Sequence, residues 1–222
     1  MRVLHYLELR DRLRRSGIGT AVRHQRTALA DSAIRLSTSP WRGGDPLTAA
    51  YKYAVGDGAF DEYDLAHCHL PGPGTVAVAE HARRNDVPLV VHAHVTREDF
   101  AGSFRGSTAV GPALERYLAW LYSRADLLLC PSEHTKSVLQ SYPVSAPIKA
   151  VTNGVDVDAL AGHEALRGTY RRRFGLDGVV VYAVGNVFER KGVETFCQLA
   201  RRSDREFVWF GPYDDGPHAS PA

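Results

Sequence analysis

Short apolar runs alternate with segments of helical periodicity along most of the chain. Runs with the length and β-rich character of buried strands lie at residues 3–7, 65–70, 89–95, 125–130 and 148–152. Segments with the periodicity and composition of amphipathic helices lie at residues 20–30, 75–84, 112–124 and 133–142. This alternation predicts an α/β protein with a doubly wound parallel sheet.

A fresh β–α–β pattern follows a boundary near residues 155–162. We predict a helix over 165–174, then strands over 179–184 and 206–210 around a helix at 193–202. One such unit cannot bury both faces of its own sheet. We therefore predict a first domain over residues 1–160 and the incomplete start of a second over 161–222, which makes the chain a fragment. Within the irregular stretch 37–64, only a short helix at 48–55 is predicted.

Composition excludes several classes of protein. The 222 residues include 27 basic and 25 acidic side chains, a net charge of +2, so nothing requires a nucleic-acid partner. The apolar runs are too short to cross a bilayer, and no signal-peptide core follows Met1. Cys68, Cys130 and Cys197 form no C-x-x-C pair, so we expect buried thiols rather than disulfides. The expected location is therefore the cytoplasm.

The first candidate ligand site is the glycine loop S-G-I-G-T at residues 16–20. It follows the first strand and opens a helix, where free backbone N–H groups suit a phosphate or a carboxylate. Gly17 and Gly19 would let the backbone approach such a ligand closely. A tight strand-to-helix turn capped by Ser16 or Thr20 accounts for the same residues.

Two H-x-H pairs lie near the carboxyl ends of predicted strands: His67 with His69, and His92 with His94. Residues two apart on a strand face the same side, and ligands of open α/β sheets bind at this edge. No flanking carboxylate or cysteine has metal-ligand spacing, so we expect a polar cleft lining and no metal. For one member of each pair, a hydrogen-bonded core histidine is the alternative.

The loop after the second pair, residues 95–107, mixes charges, glycines and phenylalanines. Such a loop beyond a strand end is typical of a mobile segment that contacts substrate. A solvated loop anchored by its phenylalanines is the alternative.

A second strand-to-helix loop, G-N-V-F-E-R-K-G, spans residues 185–192. Arg190 and Lys191 precede a helix N-terminus, where cations oppose the helix macrodipole. A bound anion would remove that conflict, and a diphosphate would form charge-assisted hydrogen bonds with both cations.

These motifs together resemble the retaining glycosyltransferases of the GT-B fold. The resemblance rests on S-G-I-G-T, H-A-H after P-L-V-V, A-D-L-L-L-C-P-S, I-K-A-V-T-N-G-V-D and G-N-V-F-E-R-K-G, in that order. The finer pattern H-A-H-x-T-x-E-D-F-x-x-S-F is similar to the bacterial branch that glucosylates diacylglycerol. The resemblance implies two Rossmann-like domains, with a nucleotide sugar held in the cleft between them.

The resemblance also assigns roles to single residues. His94 matches the family histidine that contacts the donor sugar, and it is the catalytic candidate. Gly17 and Gly19 would approach the donor diphosphate or the acceptor, and Arg190 and Lys191 match the basic end of the diphosphate clamp. Further candidates for the donor or acceptor cleft are Asn186, Asn153, Asp99 and Ser132. A UDP-sugar would be the co-substrate, with no cofactor and no metal, because the cations neutralise the leaving diphosphate.

Two features depart from the family pattern. Many relatives have arginine where Asn186 stands, so Arg190 would have to supply that positive charge. The family's E-x(7)-E segment, which holds the sugar and the ribose, would follow residue 222. The resemblance therefore implies that this chain lacks a complete donor site.

The implied function is transfer of a hexose, glucose from UDP-glucose, with retention onto a hydroxyl of a diacylglycerol-type lipid. The acceptor would be met by peripheral contact with the inner face of the cell membrane, where Tyr117, Trp120 and nearby arginines could dock. An amphipathic helix packed on the sheet accounts for the same residues. Two alternatives stay open: a nucleotide-sugar epimerase using Asp99 and His94 as acid–base groups, and a non-catalytic ligand-binding remnant.

Overall fold

The computed structural model describes residues 1–37, 47–48, 51, 54, 63–101, 106–187 and 189–213. The chain divides into two compact units. The first consists of Met1–Thr96 and Ala113–Val155, and the second of Arg97–Pro112 and Asp156–Ala222. The domain ranges 1–160 and 161–222 stay a prediction.

A parallel sheet of six strands forms the centre of the first unit. Its strands are β1 (Arg2–Tyr6), β2 (Arg35–Ser37), β3 (Leu65–Cys68), β4 (Leu89–His92), β5 (Leu127–Cys130) and β6 (Ile148–Ala150). They are hydrogen-bonded in the order β2-β1-β3-β4-β5-β6, and every pair is parallel. The chain thus runs outward from β1 to β2 and then returns to the other side of β1. This is the doubly wound α/β architecture that the alternation predicts.

The following α-helices lie within the described residues. They are α1 (Arg10–Leu13), α2 (Gly17–Ala28), α3 (Pro73–Arg84), α4 (Arg97–Phe100), α5 (Gly111–Tyr122), α6 (Glu133–Gln140), α7 (His163–Phe174) and α8 (Val193–Ala200). Ser16 caps α2 by accepting a hydrogen bond from the Gly19 N–H, and Ser132 caps α6 in the same way through Thr135. Pro73 opens α3, where its missing N–H costs nothing.

The hydrophobic core of the first unit lies on one face of the sheet. Leu4, Cys68 and Val91 point from successive strands into this core, together with Leu118 and Leu121 of α5. Helix α5 is therefore the amphipathic helix packed on the sheet, one of the two interpretations of its sequence.

The second unit contains a two-stranded parallel sheet of β7 (Val180–Val184) and β8 (Glu206–Phe210). Helix α8 connects the two strands. Its Phe196 ring packs edge-on against Phe207 and Trp209, with ring centroids 5.1 and 5.3 Å apart. The β–α–β unit predicted for this part of the chain is confirmed.

Three local predictions differ from the structure. Residues 35–37 form the edge strand β2, which the irregular pattern around them did not indicate. Within the predicted loop 95–107, residues Arg97–Phe100 form the short helix α4. The helix predicted over 48–55 lies largely outside the described residues.

The cysteines are not all buried. Cys68 and Cys130 are enclosed in the core, as expected, whereas Cys197 on α8 is exposed. The expectation of a buried thiol is therefore wrong for Cys197. Among the described residues, no helix combines the length and apolar character that a membrane span needs.

Candidate functional site

The carboxyl ends of β1 and β3 form the place where the strand order reverses. After β1 the chain moves to β2 on one side, and later it returns to β3 on the other. In doubly wound sheets the flanking connections diverge at this point and leave a crevice in which ligands bind. Histidines lie at or next to the ends of both strands and of the next one, β4.

The register of the strands brings five histidines onto one face of the sheet. His5 of β1 is aligned with His67 of β3, and His67 is aligned with Val90 of β4. Aligned residues of parallel strands point the same way, and so do residues two apart. The side chains on this face are therefore His5, His67, His69, His92 and His94, and the apolar core lies on the opposite face.

The five imidazoles are in mutual contact. Nε2 of His69 lies 2.7 Å from Nε2 of His5, and Nδ1 of His69 lies 3.3 Å from Nε2 of His94. The rings of His92 and His94 stack with centroids 4.2 Å apart and planes within 8°. His5, His69 and His92 are almost wholly buried, whereas His94 is partly exposed at the rim.

Burial keeps these imidazoles neutral. Desolvation, followed by the neighbouring His92, lowers the pKa of His94 to about 3. Desolvation, followed by His5, lowers the pKa of His92 to about 4. The pKa of His5 is lowered, and the pKa values of His67 and His69 lie well below the ordinary value, in each case mainly because burial disfavours the charged ring. At neutral pH the group therefore offers uncharged donors and acceptors.

The side chain of Gln25, on α2, bridges His5 and His92. Its Oε1 lies 3.1 Å from Nε2 of His5, and its Nε2 lies 3.2 Å from Nδ1 of His92. Neither Gln25 nor His5 was a sequence-based candidate. The available signal was a histidine one residue before the end of the first strand, and its place in the site depends on the register with His67.

Helix α2 starts at the glycine loop, and the two glycines have different surroundings. A Cβ on Gly19 would collide with the backbone carbonyl of Leu13, so Gly19 is required for close packing. A Cβ on Gly17 would meet nothing within 4 Å, and Gly17 is exposed. The capped turn at Ser16 is thus present, and the N–H of Gly19 already has Ser16 Oγ as its partner.

Two further candidates lie in the first unit. Asn153, in the N-G-V-D motif after β6, has a buried Oδ1 without a hydrogen-bond partner. The neighbouring Gly154 carbonyl lies 3.3 Å from Nδ1 of His24, which ties this segment to α2. Ser132 caps α6, so its side chain has a structural partner.

Three candidates lie in the second unit, in the loop between β7 and α8. Gly185 has a φ of +146°, and the Cδ and Cε atoms of Lys191 lie 3.9 Å from where its Cβ would be. The Lys191 side chain therefore extends over the Gly185 backbone. Asn186 is exposed nearby, and Arg190 belongs to the 3₁₀ turn Glu189–Lys191. Asp99 also belongs to this unit, on helix α4.

Comparison with known proteins places the chain in a family. The model of Glycosyltransferase Family 4 matches residues 5–159. The processive diacylglycerol alpha-glucosyltransferase of Acholeplasma laidlawii is 32% identical over 215 residues, which cover 95% of this chain and 58% of that protein. The chain thus spans less than two thirds of the length of this relative.

The fold is also found in a solved structure. HepE of Anabaena, solved in complex with UDP and glucose, superposes with a TM-score of 0.65 at 16% identity, over 95% of this chain and 60% of HepE. A UDP-GlcNAc 2-epimerase from Neisseria meningitidis reaches a TM-score of only 0.46 at 14% identity, over 98% of this chain and 67% of the epimerase, which supports no conclusion. The GT-B fold class inferred from the motifs is confirmed. The family match over most of the first unit shows that this chain belongs to glycosyltransferase family 4, near the diacylglycerol glucosyltransferase branch.

Proposed function

We propose that the chain belongs to an enzyme that transfers glucose from UDP-glucose to a hydroxyl of a diacylglycerol-type lipid, with retention at the anomeric carbon. The observation that carries the proposal is the 32% identity with the diacylglycerol alpha-glucosyltransferase along 95% of this chain. UDP-glucose is an α-linked donor, so an α-linked product of the kind named for that relative means retention. The UDP and glucose bound by HepE are consistent with this donor.

In the second unit, the proposed contact with the donor is the loop before α8. This helix begins at Gly192 without a side-chain cap, so the N–H groups of its first turn are available to an anion. Lys191, which lies over Gly185, adds a positive charge at the same place. Arg190 and Lys191 would hold the diphosphate and neutralise the charge that develops as it leaves. No step in this scheme requires a metal or another cofactor.

In the first unit, the proposed contact with the sugar is His94. Its partly exposed ring is held in place by stacking on His92 and by His69 at 3.3 Å. When His69 donates to Nε2 of His94, the proton of neutral His94 is on Nδ1. That N–H can then donate to a sugar hydroxyl. Because its pKa is about 3, His94 would act through hydrogen bonding and not as a cation.

The acceptor proposal rests on an open, mostly apolar pocket of about 830 Å³ on the first unit. Its lining residues are Pro71, Pro73, Val76, Arg116, Tyr117 and Trp120. An apolar wall with an indole and a guanidinium at its rim suits the boundary between acyl chains and anionic headgroups. We propose that this surface meets the inner face of the cell membrane peripherally.

The test combines donor binding with product analysis. Calorimetric titration of the chain with UDP should show binding that Lys191→Ala weakens about 10- to 100-fold, since a hydrogen bond to a charged group contributes about 1.5–3 kcal/mol. Lys149→Ala removes an exposed lysine from β6 and serves as the matched control, with binding unchanged. Labelled UDP-glucose and diacylglycerol vesicles, incubated with a chain that also carries the family's E-x(7)-E segment, should then give an α-linked glucolipid in the organic phase.

Two results would contradict the proposal. A β-linked product would exclude retention, and a free epimerised nucleotide sugar formed without any acceptor would favour an epimerase. Equal UDP affinities of Lys191→Ala and Lys149→Ala would remove Lys191 from the diphosphate site.

A further inference from the structure

Three histidines of the cluster are spaced like ligands of one metal ion. His69, His92 and His94 each offer a ring nitrogen, and the three nitrogens lie within 4.8 Å of one another. Nδ1 of His69 and Nε2 of His94 are 3.3 Å apart. Zinc–nitrogen bonds of about 2.0–2.1 Å in tetrahedral geometry place two ligating nitrogens about 3.3 Å apart. This pair already has the required separation. The rings of His92 and His94, which are stacked within 8°, would turn so that their in-plane lone pairs converge on the ion.

Histidine nitrogens in the cluster also lack partners. Nε2 of His92 is buried and forms no hydrogen bond. The same is true of Nδ1 of His5 and Nε2 of His67, elsewhere in the cluster. Buried polar atoms are normally paired, and each unpaired one calls for an explanation such as an ion. His92 itself is 1% exposed, so bulk water does not satisfy this nitrogen.

The other ring nitrogens of two of these histidines have the outer partners that metal ligands usually have. Nδ1 of His92 lies 3.2 Å from the amide of Gln25, and Nε2 of His69 lies 2.7 Å from His5. Rotation of the Gln25 amide by 180° would let its oxygen accept from Nδ1 of His92. This leaves a lone pair on Nε2 of His92. Partners of this kind fix the tautomer and orientation of a ligating histidine.

We propose that His69, His92 and His94 bind one divalent transition-metal ion, with Zn²⁺ the best fit. Imidazole ligands suit zinc, copper and nickel, and three histidines leave a fourth position open. The partly exposed His94 provides a path by which the ion enters. The second possible group, His5 with His67 and His69, fits less well because its closest nitrogens, 2.7 Å apart, are at hydrogen-bond distance.

This ion would hold the three histidines in place, and the transfer reaction proposed above does not require it. It would lie between Nδ1 of His69 and Nε2 of His94, and the proton of neutral His69 would then be on Nε2, 2.7 Å from Nε2 of His5. His94 would keep its proton on Nδ1, the nitrogen proposed to face the sugar. Because the pKa values of all three histidines are lowered, their rings are neutral at neutral pH. Metal binding therefore does not have to displace a proton from a charged ring.

The experiment is calorimetric titration of the full, metal-free chain with ZnCl₂, followed by Co²⁺ substitution and visible spectroscopy. We expect one ion per chain and the absorption of tetrahedral Co²⁺. His94→Gln, at a partly exposed position, should weaken binding more than about 100-fold, since loss of an outer partner alone costs about 10- to 100-fold. Gln25→Ala changes a residue that is not a proposed ligand, so this second variant should weaken metal binding by only about 10- to 100-fold.

Controls separate this site from other metal-binding side chains. His134→Gln removes an exposed histidine on α6, and Cys197→Ser removes the exposed thiol, so neither should change affinity or spectrum. Circular dichroism identifies any unfolded variant. If either His94→Gln or Gln25→Ala is unfolded, the metal affinity of the other, folded variant is compared with that of the wild type. The proposal is overturned if the wild-type chain binds no ion, or if folded His94→Gln and Gln25→Ala both bind as tightly as wild type.

Discussion

At the scale of single residues, the glycine loop separates two positions that look alike in the sequence. Both Gly17 and Gly19 were candidates for close approach to a diphosphate. In the structure, Gly19 faces the carbonyl of Leu13, whereas Gly17 faces open space at the start of α2. Only Gly17 therefore remains available to a ligand, and Gly19 holds α2 against the end of α1.

Alanine substitution distinguishes these roles. Gly19→Ala should lower the free energy of unfolding by about 1–3 kcal/mol, because a methyl group would overlap backbone that cannot rotate away. Gly17→Ala should leave stability equal or slightly higher, since alanine is the better helix former by about 1 kcal/mol. Urea denaturation of both variants measures the difference. Equal stabilities would mean that the Leu13 backbone moves aside at little cost.

At the scale of helices and strands, α5 shows how one helix serves two surfaces. Leu118, Leu121 and Tyr122 are buried on the sheet, and Tyr122 also donates a hydrogen bond to the Val95 carbonyl at 2.8 Å. The opposite side exposes 41% of Trp120 beside the apolar pocket. The Cζ atom of Arg124 lies 3.6 Å from the centroid of the Trp120 ring, and its Nε lies 2.9 Å from Oε1 of Glu80. The ion pair with Glu80 thus holds the guanidinium over the indole.

Membrane contact through α5 has a direct test. Trp120→Ala should reduce partitioning of the chain onto anionic vesicles about 10-fold, because burial of a large side chain contributes about 1.5–3 kcal/mol. Tyr170→Ala on α7 removes an aromatic ring of similar exposure and should leave partitioning unchanged. Vesicle sedimentation measures both variants. An equal loss for the two would indicate non-specific adsorption.

The sequence predicted most elements because their signals are local. Apolar runs such as L-V-V-H and L-L-L-C, each next to a helical period, are sufficient to indicate β4 and β5. The short edge strand β2 had no such signal, since three residues pairing with β1 carry little pattern of their own. Helix α2 began three residues earlier than predicted, at Gly17, because the Ser16 cap includes the glycines in its first turn.

The histidine cluster marks the limit of sequence reasoning. Two H-x-H pairs were visible, but their mutual distance depends on the register between β3 and β4. The contribution of His5 depends on the register with β1, and that of Gln25 on the docking of α2. These relations are tertiary, so spacing along the chain could not reveal a site with the geometry of a metal centre.

At the scale of the whole molecule, the buried histidines make stability depend on pH. Their pKa values are lowered in the folded state and ordinary, about 6.5, in the unfolded chain. Below pH 6.5 the unfolded chain therefore binds more protons, and the free energy of unfolding falls as the pH falls. Each excess proton contributes a slope of about 1.4 kcal/mol per pH unit.

Chemical denaturation between about pH 5.5 and 7.5, above the range of ordinary carboxylates, measures this slope in metal-free protein with EDTA. The groups involved are the five histidines, with Arg26 of α2 acting on His5. His92→Gln should reduce the slope by about one proton, whereas His134→Gln, exposed on α6, should not. If the free energy of unfolding does not change over this pH interval, the histidine cluster takes up protons in the folded state.

The unequal burial of the three cysteines makes the chain a natural candidate for single-site labelling. Cys68 and Cys130 are enclosed, and burial raises the pKa of both thiols, so neither provides a reactive thiolate. Cys197 alone among the three is exposed, on the helix that follows the proposed diphosphate loop. A maleimide fluorophore would therefore attach to α8 without mutation and would report nucleotide binding to this loop. The two shielded thiols would become reactive only as the first unit opens, so counting modified cysteines would time its unfolding.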